Sequence, residues 1–139
     1  IKLEAPLPYI QIKPHSWRPL KTKSSSRMVP LIGAALWSAK RIKSSPDSVF
    51  AFPRYSNEER CNANSASNAL NKWMQTKFQN DIVIHGFRHA IRDRLRNVEC
   101  PSEAIDQIGG WTAQSSGEKY GDGFNLANAN RFLLRLKIC

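Results

Sequence analysis

Acidic residues are scarce in this chain, and none occurs between positions 5 and 46. The 139 residues include 21 lysines and arginines against 11 aspartates and glutamates, a formal net charge of +10 at pH 7. Positions 5–46 hold eight basic residues, whereas ten basic and seven acidic residues follow from position 61 onward. A concentrated basic surface is typical of proteins that bind a polyanion, and nucleic acid is the commonest polyanion.

Cysteine is also rare, and long apolar runs are absent. Cys61, Cys100 and Cys139 are far apart and form no Cys-x-x-Cys pattern, so neither a disulfide framework nor a zinc site is indicated. No stretch approaches the roughly 18 apolar residues that a membrane-spanning helix needs. Free thiols favour a reducing compartment, so we expect a cytoplasmic protein. With 41% hydrophobic residues, residues 1–139 are predicted to form a single domain.

The residue pattern predicts a mainly α-helical fold with a small antiparallel β-hairpin at its N-terminal side. Two β-prone segments, Tyr9–Ile12 and Met28–Leu31, flank a polar, serine-rich turn. Apolar residues then recur every three or four positions, as they do on one face of a helix. The predicted helices span residues 32–43, 62–78, 87–98, 102–108 and 125–138, with short extended pieces at 47–53 and 82–84.

The helix predicted over 87–98 carries two stripes and begins with a distinctive phrase. Its apolar stripe is Phe87, Ile91, Leu95 and Val98, and its basic stripe is Arg88, Arg92 and Arg96. The phrase His85-Gly86-Phe87-Arg88 places a histidine and an arginine at the helix start, where free backbone N–H groups also favour an anion. A phosphate suits this position, although the His-x-x-Arg spacing alone is weak evidence.

Two aromatic residues follow the next helix. Trp111 comes directly after Gly109-Gly110, which ends that helix, and Tyr120 lies nine residues further on. A tyrosine hydroxyl in a loop is a candidate covalent nucleophile, because a transient bond to phosphate divides strand cleavage and rejoining into two steps. Taken separately, each aromatic residue is explained more simply by packing.

Taken in order, the basic hairpin, His85-x-x-Arg88, Gly110-Trp111 and Tyr120 resemble the tyrosine recombinase family, the phage-type integrases. The phrase LKTKSSSRMVPL at positions 20–31 is similar to the family's lysine-bearing strand, turn and strand, and the resemblance covers about residues 9–131. It implies a tyrosine recombinase catalytic-domain fold. It also implies site-specific recombination or integration of double-stranded DNA by strand cleavage and rejoining.

The resemblance also implies a role for each matched residue. Tyr120 would attack the DNA phosphodiester and leave a 3′-phosphotyrosine and a free 5′-hydroxyl. Arg88 would bind the phosphate, and His85 would hydrogen-bond it and assist proton movement. Trp111 would donate its indole N–H to the phosphate while its ring supports the tyrosine segment.

The basic hairpin would supply the general acid and much of the DNA contact. Lys21 would protonate the leaving 5′-oxygen, with Lys23 as the alternative because turn lengths vary. DNA binding is expected from Lys23, Arg18, Arg27 and Arg92. Because the phosphotyrosine bond conserves the bond energy, the resemblance implies neither a metal nor another cofactor. It further implies self-association as a dimer or tetramer on DNA through the C-terminal helix, and a bacterial or phage origin.

One arginine of the family, upstream of the lysine hairpin, has no match. We therefore expect residues 1–139 to be the C-terminal portion of a recombinase catalytic domain, without its first part and without the N-terminal DNA-binding domain. Two alternatives remain open, namely a non-catalytic basic DNA-binding module and a structural protein of a ribonucleoprotein particle. In both, Tyr120 has no chemical role.

Because of the unmatched arginine, residues 1–139 are expected to cleave DNA poorly on their own. A nicked DNA duplex incubated with this chain should show little covalent protein–DNA adduct on a denaturing gel. A robust adduct would refute this expectation.

Overall fold

Five α-helices and a two-stranded antiparallel sheet form the regular structure of the described chain. The computed structural model describes residues 1–16, 18–22, 25–43, 48–78, 82–111 and 125–136. The elements in chain order are strands β1 (Tyr9–Ile12) and β2 (Arg27–Pro30) and helices α1 (Gly33–Lys43), α2 (Ala63–Phe78), α3 (Gly86–Asn97), α4 (Ser102–Gly109) and α5 (Leu126–Leu134). The prediction of a mainly helical fold with a small antiparallel hairpin is confirmed.

The register of the hairpin decides which residues lie at its turn end. Tyr9 pairs with Pro30 at one end, and Ile12 pairs with Arg27 at the other. The Ser26 hydroxyl donates a hydrogen bond of 3.4 Å to the Ile12 carbonyl oxygen, which closes the turn end further. Strand β2 also contacts α4 and α5, so the hairpin is attached to the helical part of the chain.

The hydrophobic core lies where α3, α4 and α5 meet. Leu95 of α3 is completely buried, and the core cluster consists of Leu95, Cys100, Ala104, Ile105, Ile108, Ala129, Phe132, Leu133 and Leu136. Buried positions of α4 and α5 recur at three and four residues, which confirms that these two helices are amphipathic. The apolar face of α5 is therefore buried in its own chain, and self-association through this helix stays a prediction.

Two predicted apolar faces are only partly buried. In α3, Leu95 lies in the core and Ile91 packs against it, but Phe87 in the first turn is 61% exposed because the core cluster meets this helix only from Ile91 onward. In α2, Met74 is the buried residue, whereas Trp73 is 53% exposed. Helix α2 shares no broad contact with another helix or strand of the described chain, so its apolar face is covered only in part.

The extended pieces predicted at 47–53 and 82–84 do not form strands in their described residues. Positions 49–51 form bends, and position 84 begins a turn that leads directly into α3. In the turn, the Gly86 backbone N–H donates to the Val83 carbonyl oxygen at 2.8 Å. The apolar residues before α3 therefore connect two helices and have no strand partner within the described ranges.

Membrane-spanning helices, clusters of metal ligands and disulfides are all absent from the described residues. No helix there combines the length and the apolar character that crossing a membrane requires. No group of three metal-ligating side chains comes together in the same ranges. Cys61 and Cys100 are free thiols, and Cys139 lies outside the described residues.

Leu95→Ala is expected to lower the free energy of unfolding by about 2–5 kcal/mol, because it leaves a cavity in the core. Leu134→Ala on α5 is the matched control, since the Leu134 side chain is 64% exposed, and its effect should stay within about 0.5 kcal/mol. Urea denaturation followed by circular dichroism measures both. Equal losses of unfolding free energy in the two variants would contradict this position of the core.

Candidate functional site

A cavity lined by basic side chains lies between the hairpin turn, the start of α3 and the end of α4. Its volume is about 410 Å³, and its walls are formed by Ile12, Arg18, Pro19, Leu20, Lys21, Ser25, Arg27, Arg88, Gly109 and Gly110. The charged side chains among these residues are two from the turn (Arg18 and Lys21), one from β2 (Arg27) and one from α3 (Arg88). All are cations, so the positive potential in the cavity favours an anion.

The C-terminal end of α4 fixes one wall of this cavity. Gly110 adopts the left-handed conformation, with φ of +65°, and ends the helix. The Trp111 backbone N–H donates to the Asp106 carbonyl oxygen at 2.9 Å, and the Gly110 N–H donates to that of Gln107 at 3.4 Å. The next two carbonyl groups of the helix, at positions 108 and 109, accept no backbone N–H group of the described residues and are bound by side chains.

Two arginines bind these two carbonyl groups. The Arg27 Nε donates to the Ile108 carbonyl oxygen at 3.1 Å, and the Arg88 Nη1 donates to the Gly109 carbonyl oxygen at 2.7 Å. Cations are favoured at this end of a helix because the macrodipole is negative there. The helix end therefore holds one guanidinium from β2 and one from α3 at the same cavity.

Arg27 and Arg88 are close enough to repel each other. Burial lowers the pKa of the Arg27 guanidinium from its usual value, and the charge of Arg88 lowers it further. The guanidinium also rests on Gly110, where an added Cβ would overlap it. Since the described residues that line the cavity include no carboxylate, an anion in the cavity would relieve this repulsion.

Trp111 supports Arg88 from the side. The Arg88 Cζ lies 4.2 Å from the centroid of the indole ring, within the range of a cation–π interaction, and the Arg92 Cζ lies 5.1 Å from it. The ring also lies against Gly109, where a Cβ would overlap it. Arg92 in turn pairs with Asp106 at 3.7 Å. Neither Trp111 nor Arg92 lines the cavity, so their predicted phosphate and DNA contacts stay predictions.

His85 lies at the start of α3 but not in the wall of the cavity. Its exposed side chain makes no capping hydrogen bond with the helix, and its ring packs edge-to-face against His89, with centroids 5.2 Å apart. Arg88, three residues later, does reach the cavity. The predicted hydrogen bond from His85 to a phosphate therefore stays a prediction.

Two predicted residues lie outside the described part of the chain. They are Tyr120, the predicted nucleophile, and Lys23, the alternative general acid. Of the two candidate lysines, Lys21 is the one that the structure describes, and it lines the cavity with Arg88. Arg18, predicted to contact DNA, lines the same cavity.

Sequence reasoning did not find the role of Arg27 at the helix end. It assigned this residue to DNA binding only, whereas the guanidinium donates to the carbonyl groups of Ser25 and Ile108. The sequence contains one signal, since Gly109-Gly110 predicts a helix end with free carbonyl groups nearby. Nothing local indicates which of the 21 basic residues would reach them.

No family model, curated protein or solved structure shows significant similarity to the chain. Its function is therefore inferred from its residues and their geometry.

Gly110→Ala is expected to lower the free energy of unfolding by at least about 1–2 kcal/mol, because alanine is strained at positive φ. The new methyl group would also displace Arg27. Gly86→Ala is the matched control, since a Cβ there meets nothing within 4 Å and Gly86 lies in a helix. It should be neutral or slightly stabilising. Chemical denaturation measures both, and equal stability of the two variants would contradict the described end of α4.

Proposed function

We propose that the protein cleaves and rejoins DNA as a tyrosine recombinase, through a 3′-phosphotyrosine intermediate at Tyr120. The observation that supports this most is the shared cavity of Lys21 and Arg88. These residues come from a turn and a helix far apart in sequence, and they line one cavity in which every charged residue that the structure describes is basic. On this proposal the protein acts on double-stranded DNA in the cytoplasm.

The two residues fit two different needs of phosphoryl transfer. Negative charge on the non-bridging oxygens of the phosphate is matched by the fixed fork of donors on the Arg88 guanidinium. The departing 5′-oxygen requires a proton, and the Lys21 ammonium group can donate one. Tyr120 would give up its hydroxyl proton with the assistance of His85 and attack the phosphorus atom, so the P–O bond to tyrosine forms as the bond to the 5′-oxygen breaks.

The cavity also favours a phosphate on electrostatic grounds. Burial and the charge of Arg88 both lower the pKa of Arg27, and the ring of Trp111 keeps Arg88 in place. The Asp106 carboxylate pairs with Arg92, and neither residue lines the cavity. A phosphate would thus meet cations whose charge is not neutralised by the described residues that line the cavity.

A non-catalytic DNA-binding module is the second candidate. It is favoured by the hydrogen bonds of Arg27 and Arg88 to backbone carbonyl groups, since such arginines stabilise a fold without chemistry. The exposed basic residues Lys13, Arg18 and Lys21 would then bind phosphates along a DNA backbone. Both candidates predict DNA binding that weakens steeply with salt, and only the first requires Tyr120.

Tyr120→Phe is expected to abolish covalent adduct formation by the full-length protein on nicked duplexes randomised around the nick. Arg88→Gln should reduce the adduct yield about 100-fold or more, as expected when a donor to the developing charge is lost. The matched control is Arg94→Gln, which removes an equal charge from an exposed position of α3 and should keep the yield within about twofold.

Adduct yield is read on a denaturing gel, and DNA binding is measured in parallel by fluorescence anisotropy. Tyr120→Phe should bind DNA as the unaltered protein does. Adduct that persists in Tyr120→Phe would overturn the nucleophile assignment. Salt-sensitive DNA binding without any adduct from the unaltered protein would favour the non-catalytic module.

A further inference from the structure

Arg27 touches three parts of the candidate site with one side chain. Its Nη1 donates to the Ser25 carbonyl oxygen at 2.9 Å, and its Nε donates to the Ile108 carbonyl oxygen at 3.1 Å. The flat guanidinium also rests on Gly110. The hairpin turn, strand β2 and the end of α4 therefore meet at this residue.

The hydrogen bond to Ser25 connects Arg27 with the turn that carries Lys21. The Ser25 backbone N–H donates to the Thr22 carbonyl oxygen at 3.1 Å, and the hydroxyl groups of Thr22 and Ser25 lie 2.9 Å apart. Thr22 directly follows Lys21 in the chain. A side chain that holds Ser25 thus also restrains the backbone next to Lys21.

The bond to Ile108 places this turn relative to Arg88. Arg88 donates to the adjacent carbonyl oxygen, that of Gly109, at 2.7 Å. Two neighbouring peptide groups of α4 therefore receive the two arginines. The spacing between Lys21 and Arg88 depends on both attachments, and Arg27 makes the one on the hairpin side.

We propose that Arg27 is a positioning residue, which holds the turn of Lys21 against the end of α4 so that Lys21 and Arg88 meet the same phosphate. This inference rests on the proposed function, because that function requires a phosphate between the two residues. It assigns to Arg27 a role distinct from contact with the DNA backbone.

Arginine suits this role because its donors have a fixed geometry. The hydrogen bonds to Ser25 and Ile108 use two of the five N–H groups of the guanidinium. These two bonds point in different directions. A lysine keeps the positive charge but has one compact ammonium group on a flexible stem. Arg27→Lys therefore tests the geometry while the net charge of the cavity is preserved.

The experiment follows backbone amide signals by NMR during titration with inorganic phosphate at constant ionic strength. In the unaltered chain, signals of the turn (Lys21 and Thr22) and of Arg88 should shift together, with one dissociation constant. In Arg27→Lys, the turn signals should stop responding, while Arg88 responds with about tenfold weaker affinity. Arg94→Lys, the same substitution on the exposed face of α3, should change neither response.

The outcomes separate this inference from the proposed function. If turn and helix signals still shift together at unchanged affinity in Arg27→Lys, the positioning role is overturned and the phosphate site stands. If phosphate shifts neither group in the unaltered chain, or if Arg88→Gln leaves the response unchanged, the phosphate site fails as well.

A second variant repeats the test in case Arg27→Lys does not fold. Arg27→Gln keeps one amide donor on a shorter side chain, and it should uncouple the turn signals in the same way. A dispersed amide spectrum confirms that each variant is folded. If both variants unfold, Arg27 serves the stability of the whole chain and the positioning role is overturned.

Discussion

The carbonyl groups at the end of α4 join the two halves of the candidate site. The Asp106 and Gln107 carbonyl oxygens accept backbone N–H groups that follow the helix, and those of Ile108 and Gly109 accept the guanidinium groups of Arg27 and Arg88. A helix end of this kind requires partners, because unpaired carbonyl groups away from water are costly. Here the partners are cations from a hairpin and from another helix, so the stability of a helix end and the position of a charged cavity depend on the same bonds.

The end of helix α4 can hold the two arginines in place because the other face of this helix is part of the core. Ala104 and Ile105 are buried against α3 and α5, and Gly110 turns the chain away at positive φ. The cations are then held by neutral carbonyl groups and by the ring of Trp111, and the part of the lining that the structure describes contains no carboxylate. Their charge is left for a ligand. This arrangement is the physical basis for proposing a phosphate site, and with it a reaction at a DNA phosphodiester.

Much of the architecture could be predicted from local patterns. The paired strands, five helices and the glycine stop at Gly110 follow from periodicity and turn residues, and strand β1 was predicted with its observed bounds. The exposure of Phe87 and Trp73 could not be predicted, because periodicity shows which face is apolar but not what covers it. The reach of Arg27 to Ile108 was equally inaccessible, since it joins residues 81 positions apart.

The phosphate site can be tested most directly by locating a tetrahedral dianion in crystals of the protein grown with selenate, whose selenium atom gives an anomalous signal. A phosphate site between the turn and α3 predicts an anomalous peak in the cavity, with oxygens within about 3.2 Å of the Arg88 guanidinium and the Lys21 Nζ. Anomalous peaks that occur only at other basic residues, with the cavity free of selenate, would contradict the site and the function proposed from it.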